Sequence, residues 1–208
     1  MKTYWVKTPR IIKKLFSDFV WDMPAKDKIV YLTFDDGPTP EITQWVLSQL
    51  EKHQAKATFF CIGNNIAKHT DLFENVIKAG HAVGNHTFDH LNGWKTQTND
   101  YIADVKMCAN EMPHHVRLFR PPYGRLKRSQ TKKLRNIGYR IIMWDVLSAD
   151  FDQTISPEKC LENVLKNVSP GSIVIFHDSV KAHKNLEYVL PRALDYLAAN
   201  GYRCEKLA

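Results

Sequence analysis

The 208-residue sequence has no apolar run near the roughly 18 residues that a membrane-spanning helix needs, and it has no fixed-period repeat. Its N-terminal stretch carries positive charge but has neither the apolar segment nor the small-residue cleavage site of a signal peptide. Glycine and proline, at 9 and 10 residues, are not in excess, which argues against a collagen-like or low-complexity chain. These absences predict a soluble globular protein without a transmembrane segment, with the cytoplasm as its default location.

Cysteine pairs are also missing. Cys61, Cys108, Cys160 and Cys204 lie far apart and form no Cys-x-x-Cys motif, so nothing resembles a secreted disulfide framework, although a single disulfide stays open. Cys61 stands in an apolar run and is predicted to be a small core residue. With 44% hydrophobic residues, the chain can build a sizeable core without crosslinks.

Positive charge is present in excess, with a formal net charge of +7. Basic clusters can bind nucleic acid, anionic glycans or membrane surfaces, but no nucleic-acid-binding motif accompanies them here. We therefore expect a solvated helix face and a solubilising arm, and no nucleic-acid partner. The clusters are the N-terminal residues Lys2, Lys7, Arg10, Lys13 and Lys14, and the stretch Arg125, Lys127, Arg128, Lys132, Lys133 and Arg135.

Residues 1–27 are predicted to be a basic, amphipathic extension of the main domain. Their apolar residues suit a helix that packs on the domain, binds a partner or rests on a membrane, and packing is the expectation. These residues are Ile11, Ile12, Leu15, Phe16, Phe19 and Val20.

Beyond residue 27, short apolar runs alternate with segments of helical period. This alternation predicts an α/β fold with a largely parallel sheet, but it does not decide between an open sheet and a barrel. In either case the active site is expected at the carboxyl ends of the strands. Predicted strands cover 29–34, 57–61, 82–85, 116–119, 140–144, 172–176 and 202–206, and predicted helices cover 71–79, 99–111, 129–137, 156–165 and 186–199, with a further helical stripe from Ile42 to Leu50.

Carboxylates and imidazoles collect at the predicted strand ends. Asp35 and Asp36 follow the first strand, and His86 and His90 follow the third. Two histidines four residues apart, with a carboxylate from another segment, are a common ligand set for a divalent metal. The turn-like composition of Asp35-Asp36-Gly37-Pro38 is compatible with that role, because a rigid turn can mount a site. Asp145, after the fifth strand, lines the site or caps a strand end.

Three motifs carry a resemblance to a known family. Thr33-Phe34-Asp35-Asp36-Gly37-Pro38, His86-Thr87-x-x-His90 and Arg120-Pro121-Pro122-Tyr123-Gly124 closely resemble motifs of the polysaccharide deacetylases, the NodB homology domain of carbohydrate esterase family four, and stand in the family's order. The resemblance runs from about residue 28 to residue 208. It implies a distorted or incomplete (β/α) barrel with about seven parallel strands, and a metal-dependent hydrolase that removes N- or O-linked acetyl groups from a carbohydrate.

The resemblance also implies a role for each site residue. Asp36, His86 and His90 would hold the metal, most simply Zn²⁺, with Co²⁺, Mn²⁺ or Ni²⁺ as alternatives. Asp35 would be the general base, oriented by Arg120, and the main-chain amide of Tyr123 would stabilise the oxyanion. His177 would be the general acid, with Asp150 as its partner. The predicted substrate-binding residues are Pro121, Tyr123, Trp144, Phe151 and Ile175.

The looser fourth and fifth motifs depart from the family pattern. The fourth usually reads Asp-x-x-Asp-Trp, and here Leu147 replaces its first aspartate and Phe151 its tryptophan. The fifth usually reads Leu-x-His, and here Ile175 stands before Phe176-His177. In the family these apolar positions shape the pocket for the acetyl methyl group, so the preference for N-acetylglucosamine polymers, peptidoglycan or acetylated xylan is open.

Three other functions are compatible with part of the pattern. A hydrolase of a non-carbohydrate amide or cyclic imide would keep the metal and change the substrate. A silent glycan-binding protein of the same fold would be expected to have lost charged site residues, which are intact here. A non-haem iron oxygenase also uses two histidines and a carboxylate, but its usual His-x-Asp pair and jelly-roll strand pattern are missing.

Overall fold

The computed structural model describes residues 4–24 and 27–208; Lys2 of the basic arm lies outside these residues. The strands described are β1 (Ile29–Asp35), β2 (Ala57–Cys61), β3 (Ala82–Asn85), β4 (Leu118–Phe119), β5 (Arg140–Ile141), β6 (Val146–Leu147), β7 (Ile173–His177) and β8 (Arg203–Cys204). The helices described are α1 (Arg10–Leu15), α2 (Ile42–Lys52), α3 (Gly63–Lys68), α4 (Thr70–Lys78), α5 (Thr98–Asn110), α6 (Arg128–Asn136), α7 (Pro157–Leu165) and α8 (His183–Ala199).

Seven strands form a parallel sheet in the order β5-β4-β3-β2-β1-β7-β6, with β8 parallel to the start of β1. β5 and β6 occupy opposite edges, yet Ile141 and Val146 are joined by a link that spans at most about 18 Å. A flat sheet of this width would separate its edges by about 29 Å. The sheet must therefore curl, and the predicted incomplete barrel of about seven parallel strands is confirmed.

The predicted strand over Arg140–Trp144 is wrong beyond Ile141. The chain leaves β5 after that residue, crosses the open side of the barrel and enters β6 on the other edge. The run from Ile141 to Met143 is apolar because it is buried in this crossing, and the sequence pattern of a buried crossing resembles that of a buried strand. The short strand β6 and helix α3 were not predicted.

The N-terminal arm, residues 4–24, covers the open side of the barrel. Lys7 pairs with Val146 of β6 and Val20 pairs with Ile142 beyond β5, so the arm joins the two free edges. The expectation that the arm packs on the domain is confirmed, but its helix is shorter than the predicted stripe and ends at Leu15. The boundary between an extension of residues 1–27 and a domain of residues 28–208 stays a prediction.

Asp145 anchors this arm. Its carboxylate is 2% exposed and accepts hydrogen bonds from Lys7 Nζ at 2.5 Å, Lys13 Nζ at 2.5 Å and Ser172 Oγ at 2.6 Å. Burial raises the pKa of Asp145, but the bonds from Lys13, Lys7 and Ser172 outweigh it and hold the pKa below its ordinary value. Asp145 therefore neither lines the metal site nor caps a strand, because the lysines of the arm occupy its oxygens.

The alternation of side chains along β1 decides which residues reach the barrel interior. Val30, Leu32 and Phe34 belong to the largest core cluster, which packs α2, α4 and α8 on the outside of the sheet. Thr33 and Asp35 consequently point inward, since successive strand residues face opposite sides.

The four cysteines are free, and within the described ranges no helix has the length and apolarity to cross a membrane.

Candidate active site

The strand register brings the predicted site residues to one edge of the sheet. Asp35, the last residue of β1, lies opposite His177, the last residue of β7, in a parallel pair. Asn85 ends β3 beside Phe119 of β4, so His86 and Arg120 leave neighbouring strands side by side. Since these are the carboxyl ends of parallel strands, the position of the site agrees with the sequence prediction.

Asp36, His86 and His90 form a cluster whose ligand atoms all lie within 4.8 Å of one another. The distances to Asp36 Oδ1 are 3.2 Å from His90 Nε2 and 3.7 Å from His86 Nε2. Two ligands bonded at about 2.1 Å to one ion, at angles of 90–110°, stand roughly 3.0–3.4 Å apart. The two distances to Asp36 Oδ1 lie in or near this range, so the two nitrogens and one oxygen suit a divalent metal, and three protein ligands leave coordination positions open.

The second nitrogen of each histidine fixes the ring for metal binding. His86 Nδ1 lies 2.7 Å from the carbonyl oxygen of Arg120 and can only donate there, which leaves Nε2 with its lone pair. His90 Nδ1 lies 3.1 Å from the Tyr123 hydroxyl. Burial is the main cause that lowers the pKa of His86 to about 4, so this ring is neutral, as a ligand must be.

The carboxylate of Asp36 is ionised, which also suits a metal. Burial raises the pKa of Asp36, but the hydrogen bond from His90 and the charge of His177 outweigh it and hold the pKa well below its usual range.

The position of Asp36 is fixed by a left-handed backbone conformation and by the buried carboxyl group of Asp178. Asp36 has a φ of 81°, and Thr87 and His90 also lie in the left-handed region with φ of 67° and 55°. Non-glycine residues hold such angles only where neighbours over-determine them, and here Asn65 Nδ2 donates to the Asp36 carbonyl at 2.8 Å. A side chain at Gly37 would lie 2.1 Å from Asp178 Oδ2, so only glycine fits between Asp36 and that carboxyl group.

Asp35 is paired with a fully buried arginine. Arg120 Nη1 donates to Asp35 Oδ1 at 2.7 Å and to Thr33 Oγ1 at 2.8 Å, while Nη2 donates to the Met143 carbonyl at 2.8 Å. Arg120 is 0% exposed and its guanidinium lies 4.1 Å from the centre of the Phe60 ring. The other oxygen of Asp35 is 3.8 Å from His86 Nε2, which places it against the metal cluster.

His177 and Asp150 form the second charged pair. His177 Nδ1 lies 2.8 Å from Asp150 Oδ1, and the His177 amide donates to Oδ2 at 2.7 Å. Burial lowers the pKa of His177, but the charge and hydrogen bond of Asp150 and the charges of Asp36 and Asp35 outweigh it and raise the pKa to about 9. The imidazolium is thus the stable form at neutral pH.

Arg120 is followed by a tight turn that brings Tyr123 to the metal cluster. The chain after buried Pro121 forms a short 3-10 turn, and Tyr123 has a φ of 60°. Its ring is 61% exposed and lies 4.6 Å from the His90 ring. Of the predicted substrate-binding residues, Tyr123 therefore borders the open site, whereas Pro121 is buried and shapes the turn.

The other predicted substrate-binding residues share one apolar cluster. Trp144, Phe151 and Ile175 pack with Leu147 and Ala149, and Tyr4 of the N-terminal arm packs on them. The Phe151 ring lies 5.1 Å from the His177 ring, edge to face. The residues that depart from the family motifs, Leu147 and Phe151, thus contribute to one apolar wall beside the proposed acid.

Sequence reasoning missed several supporting residues. Asp178, which the motifs leave without a role, is 0% exposed, accepts the Gly37 amide at 3.1 Å and accepts a hydrogen bond from Thr43 Oγ1 at 2.5 Å. Asp104 on α5 accepts the amide of Phe88 at 2.7 Å and so holds the loop between the two histidines. A carboxylate on an amphipathic helix resembles a solvated residue in sequence, so no local signal distinguishes Asp104.

Comparisons with known proteins point to one family. A family model described as polysaccharide deacetylase matches residues 22–142. A peptidoglycan-N-acetylglucosamine deacetylase of Bacillus cereus is 34% identical over 188 residues, which cover 88% of this chain and 88% of the relative. A chitooligosaccharide deacetylase of Azorhizobium caulinodans is 34% identical over 154 residues, which cover 72% of this chain and 73% of the relative.

A solved structure shares the whole architecture. The crystal structure of a peptidoglycan N-acetylglucosamine deacetylase in complex with 4-naphthalen-1-yl-N-oxidanyl-benzamide superimposes with a TM-score of 0.85 at 28% identity. The match covers 96% of this chain and 95% of that one. The family and the fold expected from the motifs are confirmed.

Proposed function

Because the chain belongs to the polysaccharide deacetylase family, we propose that it hydrolyses the acetyl group of N-acetylglucosamine units in a glycan, with a metal held by Asp36, His86 and His90. The observation that carries this proposal is the convergence of three groups at one sheet edge. These are the ligand cluster, the Asp35–Arg120 pair and the His177–Asp150 pair.

Zn²⁺ suits the cluster best. Two imidazole nitrogens and one carboxylate oxygen, with open positions, are a common catalytic zinc environment, and Co²⁺, Mn²⁺ or Ni²⁺ can occupy similar sets. When bound, the metal supplies a Lewis acid that polarises the acetyl carbonyl and lowers the pKa of the attacking water.

Asp35 is proposed as the general base. Its Oδ1 is held by Arg120 at 2.7 Å, which fixes the carboxylate and leaves Oδ2, beside the metal cluster, to accept the proton of water. Arg120 acts through Asp35 and is therefore a positioning residue. Its hydrogen bonds to two carbonyl oxygens and to Thr33 keep the guanidinium in place.

His177 is proposed as the general acid. Asp150 accepts a hydrogen bond from Nδ1, so Nε2 carries the proton that the leaving amine receives. The left-handed backbone at Tyr123 supports the proposal that its amide donates to the oxyanion, a contribution of about 3–4 kcal/mol in other acyl-transfer enzymes. The cluster of Trp144, Phe151 and Ile175 offers an apolar wall for the methyl group.

Two alternatives differ in substrate or in activity. A hydrolase of a non-carbohydrate amide or imide would use the same charged groups, so only the substrate separates it from the proposal. A silent glycan-binding protein is disfavoured because the ligand cluster and both charged pairs are complete. The parallel barrel also differs from the jelly roll expected of the iron oxygenases.

The proposal is tested by acetate release from a panel of substrates. Chitooligosaccharides, uncrosslinked peptidoglycan strands and acetylated xylan are incubated with the metal-loaded protein, beside a simple cyclic imide. We expect acetate from the N-acetylglucosamine substrates and no hydrolysis of the imide. Imide hydrolysis without acetate would support the alternative substrate, and glycan binding without acetate would support the silent protein.

The pH profile tests the acid. A raised pKa means that His177 is protonated at neutral pH, so activity is expected to fall as pH rises towards about 9. Asp150→Asn removes the charge that raises this pKa, so the alkaline limb of kcat/KM should move to lower pH. Asp195→Asn, which alters the exposed His53–Asp195 pair, is the matched control and should leave the profile in place. An unchanged alkaline limb in Asp150→Asn would exclude His177 as the acid.

A further inference from the structure

A cavity of about 300 Å³ opens at the amino ends of β3, β4 and β5, and the first residues of these strands, Ala82, Leu118 and Arg140, line it. The candidate active site lies at the opposite, carboxyl ends of the strands and shares no residue with this cavity. We propose that the cavity binds a small organic anion, in which a carboxylate or phosphate group is attached to an apolar body. The proposal does not depend on the proposed function.

His81 contributes a hydrogen-bond donor to the cavity wall. The residue is 7% exposed, and its Nδ1 accepts the amide of Ala57 at 3.2 Å. Burial, followed by the charges of Lys56 and Lys206, lowers the pKa of His81 to about 4, so the ring is neutral and carries its proton on Nε2.

No acceptor within residues 4–24 and 27–208 lies at hydrogen-bond distance from this Nε2. The atom is not enclosed by protein, because the enclosed unpaired side-chain atoms of that part of the chain are the Tyr101 hydroxyl and His183 Nδ1. The Nε2–H of His81 is therefore accessible through the cavity that the ring lines. A largely buried donor without a partner is unfavourable, so an oxygen atom of a ligand would stabilise it.

Cationic side chains surround this donor. Arg117, Arg140 and Lys206 line the cavity, and its lining includes no aspartate or glutamate. Across the described part of the chain, no aspartate or glutamate forms an ion pair with any of the three. Arg140 donates to the main-chain oxygen of Ala208. The two remaining cations, Arg117 and Lys206, are therefore the ones proposed to bind the anion.

Main-chain carbonyl groups hold these two cations in place. Arg117 Nη1 donates to the His114 and Val116 carbonyls at 2.6 and 2.9 Å, and Lys206 Nζ donates to the Gly80 carbonyl at 2.9 Å. Since Gly80 directly precedes His81, the ammonium group lies beside the segment that carries the unpaired donor. Carbonyl oxygens carry no net charge, so both positive charges stay uncompensated, and further N–H groups of both side chains are available to the oxygens of an anion.

The floor of the cavity is apolar, which favours an organic anion over an inorganic one. Val83, Leu118 and Leu207 are 9%, 7% and 2% exposed and line it, and the Leu207 amide is fixed by donating to Thr58 Oγ1 at 2.9 Å. An apolar lining with a few polar groups is typical of small-molecule sites, and about 300 Å³ is at the lower end of their range. A small apolar body would cover the floor while its anionic group meets His81, Arg117 and Lys206.

Calorimetric titration with four probes separates the charge from the apolar body. Phenyl phosphate and benzoate carry both, phenol carries the ring alone, and inorganic phosphate carries the charge alone. We expect at least one of the first two to bind with one molecule per chain, at least tenfold more tightly than phenol and inorganic phosphate. The tighter of the two identifies the anionic group that the cavity prefers.

A pair of double variants places the binding at this cavity. Arg117→Gln with Lys206→Gln removes both unpaired charges and should weaken binding of the preferred probe at least tenfold, because hydrogen bonds from charged groups are lost. Lys184→Gln with Arg192→Gln removes the same number of exposed charges on α8 and should leave the affinity unchanged. Melting temperatures of both variants establish that they are folded.

A magnetic resonance measurement on the native protein gives a second test that needs no folded double variant. The ring resonance of His81, assigned by its loss in His81→Phe, should shift when the preferred probe is added. The proposal is overturned if neither phenyl phosphate nor benzoate binds, or if phenol binds as tightly as they do. It is also overturned if the folded Arg117→Gln, Lys206→Gln variant keeps the native affinity, or if the His81 resonance does not move at saturation.

Discussion

Asp35→Asn is expected to lower kcat/KM for acetate release by about 10²–10⁴, the range that a positioned general base contributes. Asparagine keeps an oxygen that can accept the hydrogen bond from Arg120 Nη1, which is 2.7 Å from the carboxylate in the native protein. It cannot take a proton from water. The loss should therefore appear in kcat, while the metal bound per chain stays the same because Asp35 is not in the ligand cluster.

A nearby carboxylate provides the control for this substitution. Asp89 lies between the two histidines in sequence but is exposed, and Asp89→Asn should leave kcat within twofold of the native value. Activity is measured well below the unfolding temperature of each variant, so that lost stability is not mistaken for lost chemistry. Native activity in Asp35→Asn would show that another group accepts the proton.

Arg120→Met is expected to lower the free energy of unfolding by about 3–5 kcal/mol, which is the usual cost of removing one partner of a buried ion pair. Asp35, 3% exposed, would lose its cationic partner, and the carbonyls of Ile142 and Met143 would lose their donors. Those carbonyls belong to the crossing between β5 and β6. The variant should therefore weaken the junction between the two barrel edges.

Denaturant unfolding with two further variants separates the lost ion pair from lost packing. Combining Arg120→Met with Asp35→Leu removes both charges and should restore part of the lost stability, since no unpaired charge is then buried. Arg192→Met, at an exposed arginine on α8, should change stability by less than about 0.5 kcal/mol. A single Arg120→Met variant as stable as the native protein would mean that the Asp35–Arg120 pair contributes no net stability.

The candidate site residues could be picked out from the sequence because their motifs are local. Asp35-Asp36-Gly37-Pro38 and His86-Thr87-x-x-His90 are short motifs at strand ends, and parallel strands bring such ends together. The alternation of apolar runs with helical segments likewise predicted most strands and helices to within a few residues.

Long-range pairing explains what sequence reasoning missed. Asp145 looked like a residue at a strand end, but its partners Lys7 and Lys13 are more than 130 positions away and belong to the arm. The boundary between β5 and β6 depends on which edge each segment joins, and an apolar run does not carry that information. Asp178 likewise accepts hydrogen bonds from the Gly37 amide and from Thr43 Oγ1, two groups that belong to a different strand–helix connection.

The most direct test of the metal-dependent account is a metal titration of chelator-treated protein, with acetate release from chitohexaose as the readout. The native protein should be inactive without metal and should regain activity in proportion to added Zn²⁺, up to one equivalent per chain. The His86→Ala and His90→Ala variants should bind Zn²⁺ far more weakly and stay inactive at that ratio, whereas His53→Ala, remote from the cluster, should behave as the native protein does. Full acetate release by the metal-free protein would contradict the account. One tightly bound Zn²⁺ per chain in a double variant, His86→Ala with His90→Ala, would contradict it as well.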